Sequence, residues 1–135
     1  MTDQVSISIT GLQKEIDNEP TVETATGSYA LKNGHHFIRY EVEGVKCLLK
    51  ISDRSVVTTR TPGEQVSRME FIFGETTSST YYAGGYPFAA GVKTYSIHSK
   101  FSENSITLAI DYDLSMNGSH VSRSKLDFSI TSFTS

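Results

Sequence analysis

The chain has 135 residues, of which 37% are hydrophobic and 20% charged, and its formal net charge is −3. This length suits one domain with its own core, so we predict a single domain over residues 1–135. The composition excludes a disordered chain. The 12 Lys and Arg residues are scattered, which disfavours nucleic-acid binding because a phosphate-binding face is normally basic.

The start of the chain, residues 1–4, has neither the basic nor the apolar region of a signal peptide. No apolar stretch approaches the roughly 20 residues of a membrane-spanning helix. The sequence therefore predicts a cytoplasmic protein that does not bind membranes. Its single cysteine, Cys47, has no partner for an internal disulfide, and we predict that it is a small buried residue.

Apolar and polar residues alternate along most of the chain, a pattern typical of strands with one buried face. The alternation is clearest from Ile106 to Leu114. Turn residues separate the alternating runs, and Asn33-Gly34 suits a type I′ hairpin turn. The predicted strands cover residues 5–12, 21–32, 36–43, 45–51, 55–60, 65–73, 77–83, 92–99, 105–114 and 121–132.

The short turns favour an up-and-down order of strands, because Greek-key folds need long crossover connections. Closing such a sheet also removes exposed edges. We therefore predict an all-β fold, a closed antiparallel β-barrel of 8–10 strands arranged mostly as an up-and-down meander. A β-sandwich is the alternative. The one helical candidate is a single turn over residues 13–18, and a tight turn is predicted at Thr61-Pro62-Gly63.

Residues 83–91 form the one irregular stretch, with three glycines, Pro87 and two aromatic residues. Proline cannot donate a hydrogen bond to a ladder, so we predict that this stretch is not a central strand. Two interpretations are open. The stretch is either a barrel corner, with Tyr86 and Phe88 plugging one end, or a flap over the mouth of a cavity.

Motifs of serine hydrolases, zinc peptidases, nucleotide-binding loops and calcium-binding loops are missing from the sequence. We therefore predict no catalytic residue, no metal and no cofactor. His35 and His36 point to opposite faces of a strand, so we expect one to be exposed and the other hydrogen-bonded at a rim. Asp111 and Asp113 share the face opposite Tyr112 and are predicted to face water.

Four polar residues fall on strand faces that are otherwise predicted to be buried. A buried guanidinium needs hydrogen-bond partners, and Glu41 is a candidate partner for Arg60. One interpretation is a satisfied structural network, and the other is the polar end of a ligand cavity. In the second, the predicted ligand-binding residues are Tyr40, Arg60, Thr94 and Tyr112, with Tyr82, Tyr86 and Phe88 near the mouth.

An ordered set of short motifs runs along nearly the whole chain. It includes Gly27-Ser28-Tyr29, Ile38 to Glu41, Met69-Glu70-Phe71 and Ile110 to Leu114. In this order the motifs resemble the YwiB-like family of uncharacterised bacterial proteins, described as calycin-like and lipocalin-like in shape. The chain departs from the family where Thr61-Pro62 follows Arg60. The resemblance implies a soluble barrel with a ligand cavity and supplies no activity.

Two functions are predicted, and an enzyme is less favoured because catalytic motifs are missing. The first is a binding module that holds a small amphipathic or anionic ligand inside the barrel. The alternative is a non-catalytic interaction or structural protein with a filled barrel. Its partner would be a second copy, giving a homodimer, or another protein on an outer face bearing Phe37, Leu48 and Ile72.

Overall fold

The protein is described by a computed structural model that covers residues 3–13, 19–61, 66–83 and 86–133. The predicted helical turn beyond Gln13 and the turn beyond Thr61 lie outside these residues. Within them, every regular element is a strand. The strands are β1 (Gln4–Gln13), β2 (Thr21–Lys32), β3 (His35–Val42), β4 (Val45–Ile51), β5 (Ser55–Thr61), β6 (Ser67–Ile72), β7 (Thr76–Ala83), β8 (Tyr86–Phe101), β9 (Ser105–Met116) and β10 (Ser119–Ser132).

The ten strands form one antiparallel sheet in the order β6-β5-β4-β3-β2-β1-β10-β9-β8-β7. Its two end strands, β6 and β7, contact each other and so bring the edges of the sheet together. The Thr77 hydroxyl donates to the carbonyl of Glu70, and the Tyr82 N–H donates to the Ser67 hydroxyl at 3.2 Å. The predicted up-and-down barrel is therefore confirmed as a nearly closed ten-stranded barrel.

Three hairpins turn through two residues with positive φ, which is the signature of type I′ turns. These turns are Asn33-Gly34 (φ 53° and 79°), Glu43-Gly44 (51° and 80°) and Asn117-Gly118 (49° and 84°). The prediction at Asn33-Gly34 is confirmed. The tight turns hold consecutive strands side by side, and every consecutive pair except β6 and β7 is paired in the sheet.

Buried aliphatic and aromatic side chains fill the barrel across its middle. Ile38, Leu49, Phe71 and Ile110 have no exposed surface and come from four different strands. The rings of Phe71 and Tyr112 meet edge-on, with centroids 4.9 Å apart. This packed layer separates two open ends of the barrel.

We name the two ends by a residue at each. The Arg60 end holds the turns at 43–44 and 117–118 and the first residues of β2, β6, β8 and β10. The Phe101 end holds the turns at 33–34, 53–54, 73–74 and 102–104. Each end lies on one side of the packed layer.

The prediction that residues 83–91 are irregular is wrong for residues 86–91, which begin β8 and pair with β7. Pro87 is tolerated in β8 because of the direction in which its backbone nitrogen points. Ala89 exchanges hydrogen bonds with Asn117 on the β9 side, at 3.1 Å and 2.8 Å. Alternation along the strand turns Pro87 to the same side, before pairing with β9 begins at Ala90. Its missing N–H therefore faces no neighbouring strand. Residues 84–85 lie outside the described part.

Candidate functional site

A cavity of about 410 Å³ opens at the Arg60 end of the barrel. Its apolar lining consists of Ile9, Val42, Met69, Leu114, Met116, Val121, Leu126 and Phe128. Its polar lining consists of Glu23, Tyr40, Cys47, Thr58, Arg60 and Tyr112. The structure thus brings three of the four predicted polar contact residues, Tyr40, Arg60 and Tyr112, to one cavity. The expectation of a buried guanidinium is wrong, because Arg60 is exposed near the end of β5.

The polar side of this cavity is built from one row of residues across neighbouring strands. Tyr40 of β3 pairs with Cys47 of β4, which pairs with Arg60 of β5. Gly27 of β2 comes before Tyr40 in the same row. A Cβ on Gly27 would overlap the carbonyl oxygen of Arg39 and lie 3.1 Å from the Cβ of Tyr40. Glycine at this position therefore lets β2 and β3 pack closely beneath the tyrosine.

Tyr40 and Cys47 share an environment that keeps both protonated. Burial raises the pKa of the Tyr40 phenol far above its ordinary value; the Cys47 and Glu23 charges add to this, and Arg60 opposes it. Burial also raises the pKa of the Cys47 thiol, with Arg60 opposing and Glu23 adding. Both groups are therefore neutral near pH 7, and the Tyr40 phenol is a hydrogen-bond donor.

Thr94 lies behind the cavity rather than on its wall. It pairs with Tyr112 across β8 and β9 and is 1% exposed. Within the described residues, its hydroxyl oxygen has no hydrogen-bond partner. Tyr112, its partner on β9, packs on Phe71 and lines the cavity.

The three residues predicted near the mouth do not line the cavity, although the start of β8 belongs to the same end of the barrel. Tyr86 is 72% exposed, Phe88 is half-buried, and the inward-facing Ala90 is buried. Burial thus increases along this face of β8 from the rim inward. Tyr82 is half-buried, and its N–H bonds to Ser67. One interpretation of this stretch expected Tyr86 to plug one end of the barrel, but its side chain is too exposed for that role.

The carboxylate of this cavity is Glu23, which the sequence reasoning missed in favour of Glu41. Glu41 is exposed and lies opposite Lys46 on the outer face. Glu23 shares the inner face of β2 with Ala25 and Tyr29, all of them half-buried. Because residues on one face of a strand recur every second position, an inward-facing Tyr29 would have placed Glu23 on the inner face. Cys47 is buried as predicted, at 8% exposure.

Both histidines of the pair at 35–36 are half-buried and hydrogen-bonded, so the expectation of one exposed imidazole is wrong. His36 Nδ1 lies 2.7 Å from the Tyr29 hydroxyl, and the ring stacks on Phe101 with centroids 4.6 Å apart. His35 Nδ1 lies 2.8 Å from the Ser52 hydroxyl. In the described part of the chain, no three His, Cys, Asp or Glu residues cluster as metal ligands would.

The two aspartates of β9 lie on the outer face, half-buried among paired groups. Asp111 accepts a hydrogen bond from Arg123 Nε at 2.7 Å. Asp113 accepts one from the Tyr95 hydroxyl, and the Arg123 guanidinium lies over the Tyr95 ring at 3.9 Å. These contacts tie β8, β9 and β10 together, away from the cavity.

A second cavity of about 610 Å³ opens at the Phe101 end. Its floor includes the buried Ile51, Val56 and Leu108. Its charged residues, Asp53, Arg54 and Glu75, are exposed on turns. The sequence did not predict this cavity, because nothing in the alternation of the strands signals an opening between hairpins.

Comparison with known proteins identifies the family. The model of the family described as Domain of unknown function (DUF1934) matches residues 7–128. The chain belongs to this family. The crystal structure of ywiB protein from Bacillus subtilis matches this chain with a TM-score of 0.84 and 21% sequence identity. The match covers 98% of this chain and 93% of the ywiB chain. No curated protein is similar enough to match. The resemblance to YwiB-like proteins is confirmed, and the likeness to the crystal structure shows that the two chains share a fold.

Proposed function

We propose that this DUF1934 protein binds a small amphipathic ligand in the cavity at the Arg60 end. One observation carries the proposal: an apolar lining holds Tyr40, Arg60 and Glu23 in an open cavity of about 410 Å³. Ligand sites are typically apolar clefts of roughly 300–1,000 Å³ with a few placed polar groups. The volume suits a ligand at the small end of that range.

Each residue of the cavity would make a different contact with the ligand. The Arg60 guanidinium presents several N–H donors to an anionic or polar head, and the neutral Tyr40 phenol donates another hydrogen bond. Tyr112 lines the cavity. Tyr86 and Phe88, at the rim of the same end, belong to the proposed mouth. The calycin-like shape expected for the family supports a ligand cavity only by analogy of fold, and the cytoplasmic location remains a prediction.

The test combines native mass spectrometry of the protein purified from its own cells with thermal-shift assays using octanoate. We expect a co-purifying small molecule, or stabilisation by octanoate that Met116→Trp abolishes because the indole fills the cavity. Thr107→Trp, on the outer face of the same strand β9, is the matched control and should keep the response. A chain without bound molecule that neither octanoate nor phenylalanine stabilises would refute the proposal.

The alternative, an interaction protein, has its own supporting observation at the Phe101 end. Large apolar side chains are exposed there, namely Leu31, Phe73, Phe101 and Phe133. The predicted outer-face residues Phe37, Leu48 and Ile72 are instead half-buried. Light scattering tests this alternative: a dimer that Leu31→Ser with Phe73→Ser converts to a monomer would favour it, and a concentration-independent monomer would count against self-association.

A further inference from the structure

The described lining of the cavity at the Arg60 end contains two charged residues of opposite sign. Arg60 is on β5 and Glu23 is on β2. Between these strands lie β3 and β4, which contribute Tyr40 and Cys47. The two charges therefore flank a neutral pair of polar side chains.

Both charges act on the same place in the cavity. Glu23 and Arg60 each exert an electrostatic effect on Tyr40 and on Cys47, with opposite signs. Cys47 and Arg60 are also direct partners across β4 and β5. A ligand head beside Tyr40 and Cys47 is thus within reach of a positive and a negative field.

This arrangement discriminates between kinds of head group. A head with only an anion is attracted by Arg60 and repelled by Glu23, and a head with only a cation meets the reverse. Such a head also leaves one of the two charged side chains without an ionic partner. A head that carries both charges satisfies both residues.

The remaining lining sets the chemistry of the ligand's body. Met69 and Met116 lie among aliphatic side chains and Phe128. Unbranched, polarisable methionine side chains adapt to apolar groups of different shapes. The cavity therefore fits an apolar side group beside the doubly charged head.

Resting on the proposed function, we infer that the ligand is a small zwitterion with an apolar side group, of the chemical class of apolar α-amino acids. Its ammonium group lies at Glu23 and its carboxylate at Arg60. The side group lies against the methionines. The ligand thus carries a positive and a negative charge rather than a negative charge alone.

Three probes with the same phenyl ring separate these contributions at pH 7. Phenylalanine carries both charges, 3-phenylpropionate lacks the ammonium group, and 2-phenylethylamine lacks the carboxylate. The dissociation constant of each probe is measured by titrating it into the protein and monitoring the chemical shifts by NMR. We expect the wild-type protein to bind phenylalanine about tenfold or more tightly than either other probe, from the usual strength of charged hydrogen bonds.

Two variants test the assignment of each charge. Glu23→Gln should remove the preference for phenylalanine over 3-phenylpropionate, and Arg60→Gln should remove the preference over 2-phenylethylamine. Glu41→Gln and Arg39→Gln, both exposed on β3, are matched controls and should keep both preferences. A circular dichroism melt of each variant verifies that it is folded.

The measured affinities distinguish a failure of the zwitterionic ligand from a failure of the ligand cavity. If 3-phenylpropionate binds the wild-type protein as tightly as phenylalanine does, the zwitterion is refuted and the ligand cavity stands. If none of the three probes binds, the zwitterion is refuted too, and the octanoate and co-purification experiment decides the ligand cavity independently.

Discussion

The two ends of the barrel show that the larger opening is not the better candidate site. The cavity at the Phe101 end is about 610 Å³ against about 410 Å³ at the Arg60 end. At the larger one the charged residues are on exposed turns. At the smaller one, the half-buried Glu23 and Tyr40 and the exposed Arg60 project from paired strands. Groups on regular strands hold their geometry better than groups on loops, so the position of the charges is more informative than volume.

The largest expected effect concerns the packed layer that separates the two ends. Ile110→Ala removes a side chain with no exposed surface and should lower the free energy of unfolding by about 2–5 kcal/mol. Urea denaturation measures this loss. Thr107→Ala, on the exposed face of the same strand, should cost less than about 1 kcal/mol. Equal losses for the two variants would contradict a packed middle.

Gly27→Ala tests the close packing under Tyr40 at the Arg60 end. The added methyl group would overlap the Arg39 carbonyl, so we expect a loss of about 1–3 kcal/mol, as for overpacked cores. Gly11→Ala is the matched control, because its nearest atom, Thr21 Oγ1, is 3.5 Å away. Denaturation of both variants should show a clearly larger loss for Gly27→Ala. A neutral Gly27→Ala would mean that the two strands separate easily.

Cys47 provides a chemical reporter of the same end. Its raised pKa and its burial leave little thiolate at pH 7.5, so alkylation by iodoacetamide should be roughly tenfold slower than in the urea-unfolded chain. The rate should rise as the pH increases towards the raised pKa. Octanoate should slow the reaction further in the wild-type protein but not in Met116→Trp. A rate equal to that of the unfolded chain would show that the thiol is freely accessible.

The smallest effect is expected at the Phe101 end, where burial and then the neighbouring His35 lower the pKa of His36. Between the lowered pKa and the ordinary value near 6.5, the folded chain binds fewer protons than the unfolded chain. The contribution of His36 to the free energy of unfolding is therefore fully present above about pH 6.5. It is lost as the pH falls from about 6.5 through the lowered pKa. Denaturation at pH 7.5 and 5.5 should show a weaker pH dependence for His36→Gln than for the exposed-site control His98→Gln. Equal slopes would exclude His36 as the source.

The sequence predicted the fold well because two local signals agree along the chain. Alternation located all ten strands, and Asn33-Gly34 located the hairpin of β2 and β3. The error at residues 86–91 arose because a proline was weighed without knowing which side of the strand lacks a neighbour. That information depends on where β9 ends, which is a property of the assembled sheet.

The site was harder to predict because its residues meet only across strands. Tyr40 and Tyr112 could be named from their faces, since each has apolar residues two positions away on both sides, and Arg60 shares a face with Val56 through Thr58. Glu23 was missed because its neighbours on that face, Ala25 and Gly27, are small and give a weak apolar signal. Thr94 was placed on the correct face but at the wrong depth, and depth depends on where the barrel is filled.

The pairing of β1 with β10 has a consequence for how the chain is made. These strands lie side by side in the interior of the sheet, with Val5 opposite Ser132. Of the ten strands, β1 is synthesised first; it can pair with β2 as soon as β2 emerges, but its ladder with β10 must wait for the last strand. Strands β2 to β9 can pair with their neighbours as they emerge, but the wall at the β1–β10 position is completed only after synthesis has passed residue 132.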